Sequence, residues 1–154
     1  MAEQPSAAGG AQAQGPADAF TEPLDEAECL RLISAGGVGR VGYSGRFGPT
    51  ILPVNFALYE QTIVFRTGQH SPMGEDLRTG IADAEYKVAF EIDEIDLAAQ
   101  SGWSVLIQGP AHHVTRAEEE AVRRAGVESW APGDRELFVR IIPSRITGRR
   151  VGPA

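Results

Sequence analysis

Thr50-Ile51-Leu52-Pro53-Val54-Asn55-Phe56-Ala57-Leu58-Tyr59-Glu60-Gln61-Thr62-Ile63-Val64-Phe65-Arg66-Thr67 reads as two strands around a tight tip. Val54, Phe56 and Leu58 alternate toward one face, the two-residue period of a strand. Glu60-Gln61 supplies the hairpin tip, and Thr62 to Thr67 returns as a second run. Pro53 has no N–H to give to a central ladder, so the first strand is expected to be irregular or open-edged there.

Further strand signals lie on both sides. Val38 to Tyr43 reads as a strand feeding the turn Ser44-Gly45-Arg46-Phe47-Gly48. Upstream of it, Asp25 with Glu28 three residues on can cap a helix carrying Leu24, Ala27, Leu30 and Ile33, stopped by Gly36-Gly37. Downstream, Ser71-Pro72 can open a short helix that carries Leu77 and ends near Gly80. Tyr86 to Ile95 follows as a strand with Val88, Phe90 and Ile92 on one side. Trp103 to Thr115 is a long strand bent at Gly109-Pro110. Thr115 with Glu118 forms a capping box for a helix over Ala117 to Ala125. Arg135 to Thr147 completes the pattern as one final strand. The sum is about six strands with two or three short helices: a mainly β, α+β chain whose bends favour closure into a six-stranded barrel.

Composition narrows the function. The 154 residues suffice for one domain, and 18 Gly with 10 Pro suit a turn-rich β protein. Residues 1–20, mostly Ala, Gly, Gln and Pro, are expected to form a disordered tail before a domain over 21–154. A net charge of -7 repels phosphate backbones and anionic bilayers, so neither nucleic acid nor membrane is an expected partner. The lone Cys29 excludes an internal disulfide and reads as a small buried hydrophobe. With no signal peptide and no long apolar run, a cytoplasmic location is expected. No metal site is expected either. His112 and His113 point to opposite faces of a strand, His70 has no neighbouring ligand, and Asp93, Glu94 and Asp96 lack the spacing of a calcium loop.

Three segments carry polar or aromatic groups in unusual places. Asn55 sits among apolar residues and needs hydrogen-bond partners, which either a backbone bulge or the donor–acceptor edge of a heterocycle can supply. Arg66-Thr67-Gly68-Gln69-His70-Ser71 joins a forked cation, hydroxyls and a helix start, a set that suits a phosphate. Its plainer reading is a surface ion pair and a helix cap. Gly102-Trp103-Ser104-Val105 begins the long strand, where the indole either packs in the core or covers an aromatic ligand.

These blocks, with Val38-Gly39-Arg40-Val41, Val88-Ala89-Phe90-Glu91-Ile92-Asp93 and Ile146-Thr147-Gly148-Arg149-Arg150, resemble the pyridoxamine 5′-phosphate oxidase-like split barrels. The branch most similar is the one that includes nitroimidazole-resistance-type proteins. The resemblance covers about residues 24 to 151. It implies a homodimer that binds FMN, or in some branches a deazaflavin, at the subunit interface. Arg66, Thr67 and Ser71 would hold the phosphate, and Pro53, Val54, Asn55 and Phe56 would line the ring. Trp103, Ser104 and Val105 would complete the pocket, with the second subunit as one source. The implied activity is an FMN-dependent oxidoreductase acting on a small organic molecule, with a reduced nicotinamide or a protein reductase as electron donor. A non-catalytic flavin or deazaflavin sensor and a haem-binding barrel are the alternatives.

One departure stands out. Relatives commonly carry a lysine just after the Arg-Thr pair, where this chain has Ser71-Pro72-Met73. Losing that cation removes about 1–3 kcal/mol of phosphate binding, roughly 10- to 100-fold in affinity. Arg46 and Arg78 are the candidate substitutes.

Overall fold

The computed structural model describes residues 19–68, 70–77, 86–128, 130 and 137–153. Its elements run β1 (Ala19–Leu24), α1 (Glu26–Leu32), β2 (Gly37–Gly45), β3 (Gly48–Tyr59), β4 (Thr62–Thr67), α2 (Pro72–Asp76), β5 (Tyr86–Asp96), β6 (Ser101–His113), α3 (Arg116–Arg124), β7 (Leu137–Ile141) and β8 (Arg145–Pro153). No helix among the described residues is long and apolar enough to cross a membrane.

Six strands in the order β6-β5-β2-β3-β4-β7 close into a barrel when β7 pairs back onto β6. The predicted six-stranded barrel is therefore present, and β8 and β1 extend it as a two-stranded wing. Both additions stem from one edge of β6, which takes two partners in turn. Gly102 to Gln108 pair with β8, and Ala111 to His113 pair with β7. The exchange falls at Gly109-Pro110, where proline offers no N–H. There Gln108 C=O accepts the Ser144 N–H at 2.8 Å and Pro110 C=O accepts the Ile142 N–H at 3.0 Å.

This corrects the reading of Arg135 to Thr147 as one strand. Within its described part, pairing breaks at Ile142-Pro143-Ser144, so β7 closes the barrel and β8 leaves it. Alternation continues on both sides of the break, which is why periodicity alone missed it. The boundary at residue 20 also moves, because Ala19 and Phe20 pair with Pro153 and Gly152 at the start of β1. The rest of the expected tail lies outside the described residues.

The barrel interior is filled by alternate side chains, with Phe56, Phe65 and Phe90 at its centre. Phe90 meets Phe56 edge-on at 5.4 Å and stacks on Phe65 at 6.2 Å between centroids. The predicted caps form: Asp25 accepts the Glu28 N–H at 2.8 Å, and Ser71 Oγ accepts the Gly74 N–H at 3.0 Å. Cys29 of α1 and its C-cap residue Ile33 are buried against the barrel. β4 is covered on both faces, because Val64 packs outward with Phe138, Val122 of α3 and Val127.

A polar network seats α3. Glu118 Oε2 accepts the Thr115 N–H at 3.1 Å, and its Oε1 lies 2.9 Å from Arg140 Nη1. Arg140 also donates from Nε to Thr62 Oγ1 at 2.9 Å and lies over the Tyr59 ring. The Thr115 amide, then the Thr115 hydroxyl and Arg140, hold the Glu118 carboxyl below its ordinary value of 4.5 against opposing burial. A lowered native pKa contributes stability above the unfolded value and loses it as pH falls through the native one. Thermal midpoints should therefore drop below about pH 4.5, and Glu118→Gln should flatten that drop while lowering the neutral-pH midpoint. Identical acid profiles by circular dichroism would remove Glu118 from this role.

Candidate functional site

β3 is paired with β2 from its start as far as Phe56, and with β4 only from Phe56 to its end. Residues 48 to 56 pair with β2, whereas pairing with β4 is confined to Phe56–Tyr59 against Phe65–Thr62. Before Phe56, β3 has no strand partner on this side among the described residues, the open edge expected around Pro53. A cavity of about 480 Å³ fills the gap. Its walls are Thr50, Leu52, Pro53, Val54 and Asn55 of β3, Arg66 and Thr67 at the end of β4, and Ser71, Pro72, Met73 and Asp76 of α2. Tyr43 and Phe47 of the β2–β3 hairpin complete it.

The structure thus brings Pro53, Val54, Asn55, Arg66, Thr67 and Ser71 together. Their polar groups have neighbours within the chain. Asn55 Oδ1 accepts the Trp130 N–H at 3.1 Å, the backbone contact that was one of its two readings. Thr67 and Ser71 hydroxyls lie 2.8 Å apart, and Ser71 Oγ donates to Gly68 C=O at 2.8 Å. The Arg66 guanidinium lies over the Phe138 ring, 5.1 Å from its centroid.

The remaining four site residues fall elsewhere. Phe56 is buried in the barrel core, so its side chain faces away from the cavity that its strand lines. Val105 is fully buried in the same core. Trp103 lines a separate open groove of about 870 Å³ with Ile95, Leu97, Arg150 and Val151. Ser104 sits opposite Asp93 and Arg149, on the strand face away from Val105. Within one chain, then, the Trp103–Val105 segment does not close the Arg66 cavity. Side-chain alternation is the reason: adjacent strand residues cannot all face one ligand.

Sequence reasoning missed Tyr43, Phe47, Thr50, Leu52, Pro72, Met73 and Asp76 as lining residues. The hairpin register held a partial signal, since Tyr43 lies opposite Thr50. Burial first, then the Asp76 carboxylate, push the Tyr43 phenol above its ordinary value, so it is a neutral hydroxyl at neutral pH. Arg46, a candidate substitute for the missing lysine, is instead held at 2.8 Å by Asp76 and at 3.0 Å by Glu75. Arg78 lies outside the described residues.

The open edge and cavity fit the ring part of a flavin. The edge brings peptide groups, less the N–H that Pro53 lacks, beside an apolar slot, the mixed lining that a pyrimidine edge requires. For a phosphate, the described lining offers Arg66 and hydroxyls that are already engaged.

Comparison with known proteins agrees with this architecture. A family model described as pyridoxamine 5′-phosphate oxidase matches residues 25–150. An uncharacterized Mycobacterium tuberculosis protein is 31% identical over 128 residues, spanning 83% of this chain and 84% of its own. The solved structure of an FAD binding protein from Mycobacterium smegmatis superposes with a TM-score of 0.67 at 29% identity, covering 83% of this chain and 96% of that one. A Bacteroides thetaiotaomicron protein put forward as a 5-nitroimidazole antibiotic resistance protein shares the fold, with a TM-score of 0.61 at 16% identity over 91% of each chain. Matched along nearly all of its barrel, the chain belongs to the pyridoxamine 5′-phosphate oxidase family.

Proposed function

We propose that this chain is a flavin-dependent oxidoreductase that holds its flavin ring against the open edge of β3. The observation that carries the reading is that β3 pairs with β4 only from Phe56 onward, which leaves a ribbon of peptide groups beside an apolar cavity. A bound flavin supplies the hydride or single-electron chemistry itself. The chain's part is to bind and orient. Peptide groups between Thr50 and Asn55 meet the pyrimidine edge, while Leu52, Val54 and Met73 exclude water. Arg66 answers the phosphate charge. No side chain is assigned a catalytic proton transfer. FMN and FAD share the ring and first phosphate, so both satisfy this reading. A small organic acceptor and a reduced nicotinamide or protein reductase complete the cycle.

A homodimer belongs to the same proposal. Trp103 and its groove lie apart from the Arg66 cavity in one chain, and a second copy is the means of joining them. Exposed Ile51, Ile95 and Leu97 give a partner apolar surface to cover.

The test is a flavin titration of purified protein, followed by anaerobic reduction with NADH or NADPH. Saturable binding with bleaching of flavin absorbance is the expected result. Absence of binding at tens of micromolar would refute the flavin assignment. Binding without reduction by either nicotinamide, or by a protein reductase, would make the chain a sensor instead.

A further inference from the structure

We propose that a second pocket, which meets the cavity beside β3 at Asn55, binds a small alkylated ammonium ion, with Trp130 and Glu128 as its recognition groups. The pocket stands apart from the flavin reading and does not depend on it.

Its volume is about 270 Å³, and it lies where the turn after α1, the end of β3 and the chain leaving α3 come together. Much of the wall is small residues, Ala35 from the first of these and Ala125 and Gly126 from the last. Short side chains there put peptide groups at the surface of the wall. Asn55 lines both this pocket and the larger cavity. Its Oδ1 accepts the Trp130 N–H at 3.1 Å, which holds the Trp130 backbone against β3.

The charges at this wall favour a cation. Glu128 is the charged side chain among the described lining residues; it is exposed and is in no ion pair among the described residues. Ala125 and Gly126 follow directly on the last turn of α3, and a helix C-terminus carries about half a negative charge. The arginines of that turn are paired one turn back, Arg123 with Glu119 at 2.6 Å and Arg124 with Glu120 at 2.6 Å. Neither lines the pocket. The net charge of -7 adds a long-range field that draws cations toward the molecule.

Trp130 sets the kind of cation. It lines the pocket yet is 75% exposed, so indole surface is open to a ligand. The ring belongs to neither buried hydrophobic cluster, and core packing therefore does not account for it. An indole face is the strongest aromatic partner for a cation, and alkylated ammonium groups are the ligands that such faces recognise. A metal ion is a poor match. The described wall offers one carboxylate, and among the described residues no three His, Cys, Asp or Glu side chains stand together to hold one.

The test is isothermal titration of the full-length protein with choline and with neohexyl alcohol, its uncharged isostere with carbon in place of nitrogen. Choline is expected to saturate the pocket with a Kd of about 1 mM or tighter, and the alcohol to bind at least about 10-fold more weakly. Trp130→Leu should weaken choline about 10-fold, and Trp130→Phe, which keeps a ring, by less. Glu128→Gln should weaken it about 3-fold, and added salt should weaken the parent more than this variant. Both side chains are exposed and the Asn55 bond is made by the Trp130 backbone, so all three variants should melt with the parent. Equal binding of choline and the alcohol, a choline affinity unmoved by Trp130→Leu, or no saturation at tens of millimolar choline overturns the proposal. Each of these outcomes leaves the flavin reading untouched.

Discussion

Gly109→Ala should destabilise the protein by about 3 kcal/mol or more, the upper part of the range for overpacking a closed site. For a chain of this size that is a fall of roughly 6–12 °C in thermal midpoint. The added methyl would lie 2.1 Å from Ile142 O and 2.9 Å from Ser144 N. Both are backbone atoms, so no side chain can rotate aside. They also belong to the crossing at which β6 passes from β8 to β7, secured by the Ser144 and Ile142 N–H bonds. Relief would require breaking one of those bonds or parting the strands that close the barrel. Gly42→Ala is the matched control, since its Cβ would find its nearest neighbour, Ala89 Cβ, at 3.8 Å. That variant should melt within a few degrees of the parent. Similar melting curves for the two variants would show that the crossing is not closely packed.

The same crossing explains how far the fold was legible in the sequence. Hairpins were readable because their signals are local: Glu60-Gln61 at a tip, Asp25 and Ser71 as caps, alternation along Val54, Phe56 and Leu58. The exchange of partners on β6 was not. Gly109-Pro110 announced a bend, but the bend's meaning depends on Pro143 more than thirty residues later in the chain, and nothing local joins the two. An apolar run as far as Ile142 that resumes at Ile146 concealed the break, because Val139 and Ile141 of β7 and Ile146 of β8 pack on the same barrel core.

For the candidate site, residues tied to the open edge of β3 and to the start of α2 came out together, and those carried along as whole strand blocks did not. Pro53 marked an open edge because proline cannot complete a ladder, and the cavity follows from that edge. Val54 and Asn55 came with it as neighbours on the strand. Phe56, next along, turns into the core by the two-residue period. Trp103 to Val105 were grouped as a block, whereas strand geometry divides them between two faces. The Arg46 ion pairs had no sequence signal, since thirty residues separate Arg46 from Asp76. Their effect is to remove a cation that composition alone would have credited to the phosphate.

In the proposed reading Arg66 is the described lining cation that answers the phosphate, which makes its replacement the most informative test of the site. Arg66→Ala should weaken flavin binding roughly 10- to 100-fold, the consequence of losing about 1–3 kcal/mol of charge-assisted hydrogen bonding. The guanidinium also covers the Phe138 ring, so a loss of packing must be distinguished from a loss of charge. Arg66→Met keeps an apolar stem on that ring and should melt near the parent while binding flavin as poorly as the alanine variant. Arg66→Lys keeps the charge without the planar fork and should recover part of the affinity. Ionic strength gives an independent check, because the parent's affinity should fall with added salt more steeply than that of Arg66→Ala. If alanine, methionine and parent proteins bind flavin alike at low salt, the anion is held elsewhere and the cavity beside β3 loses its claim to the cofactor.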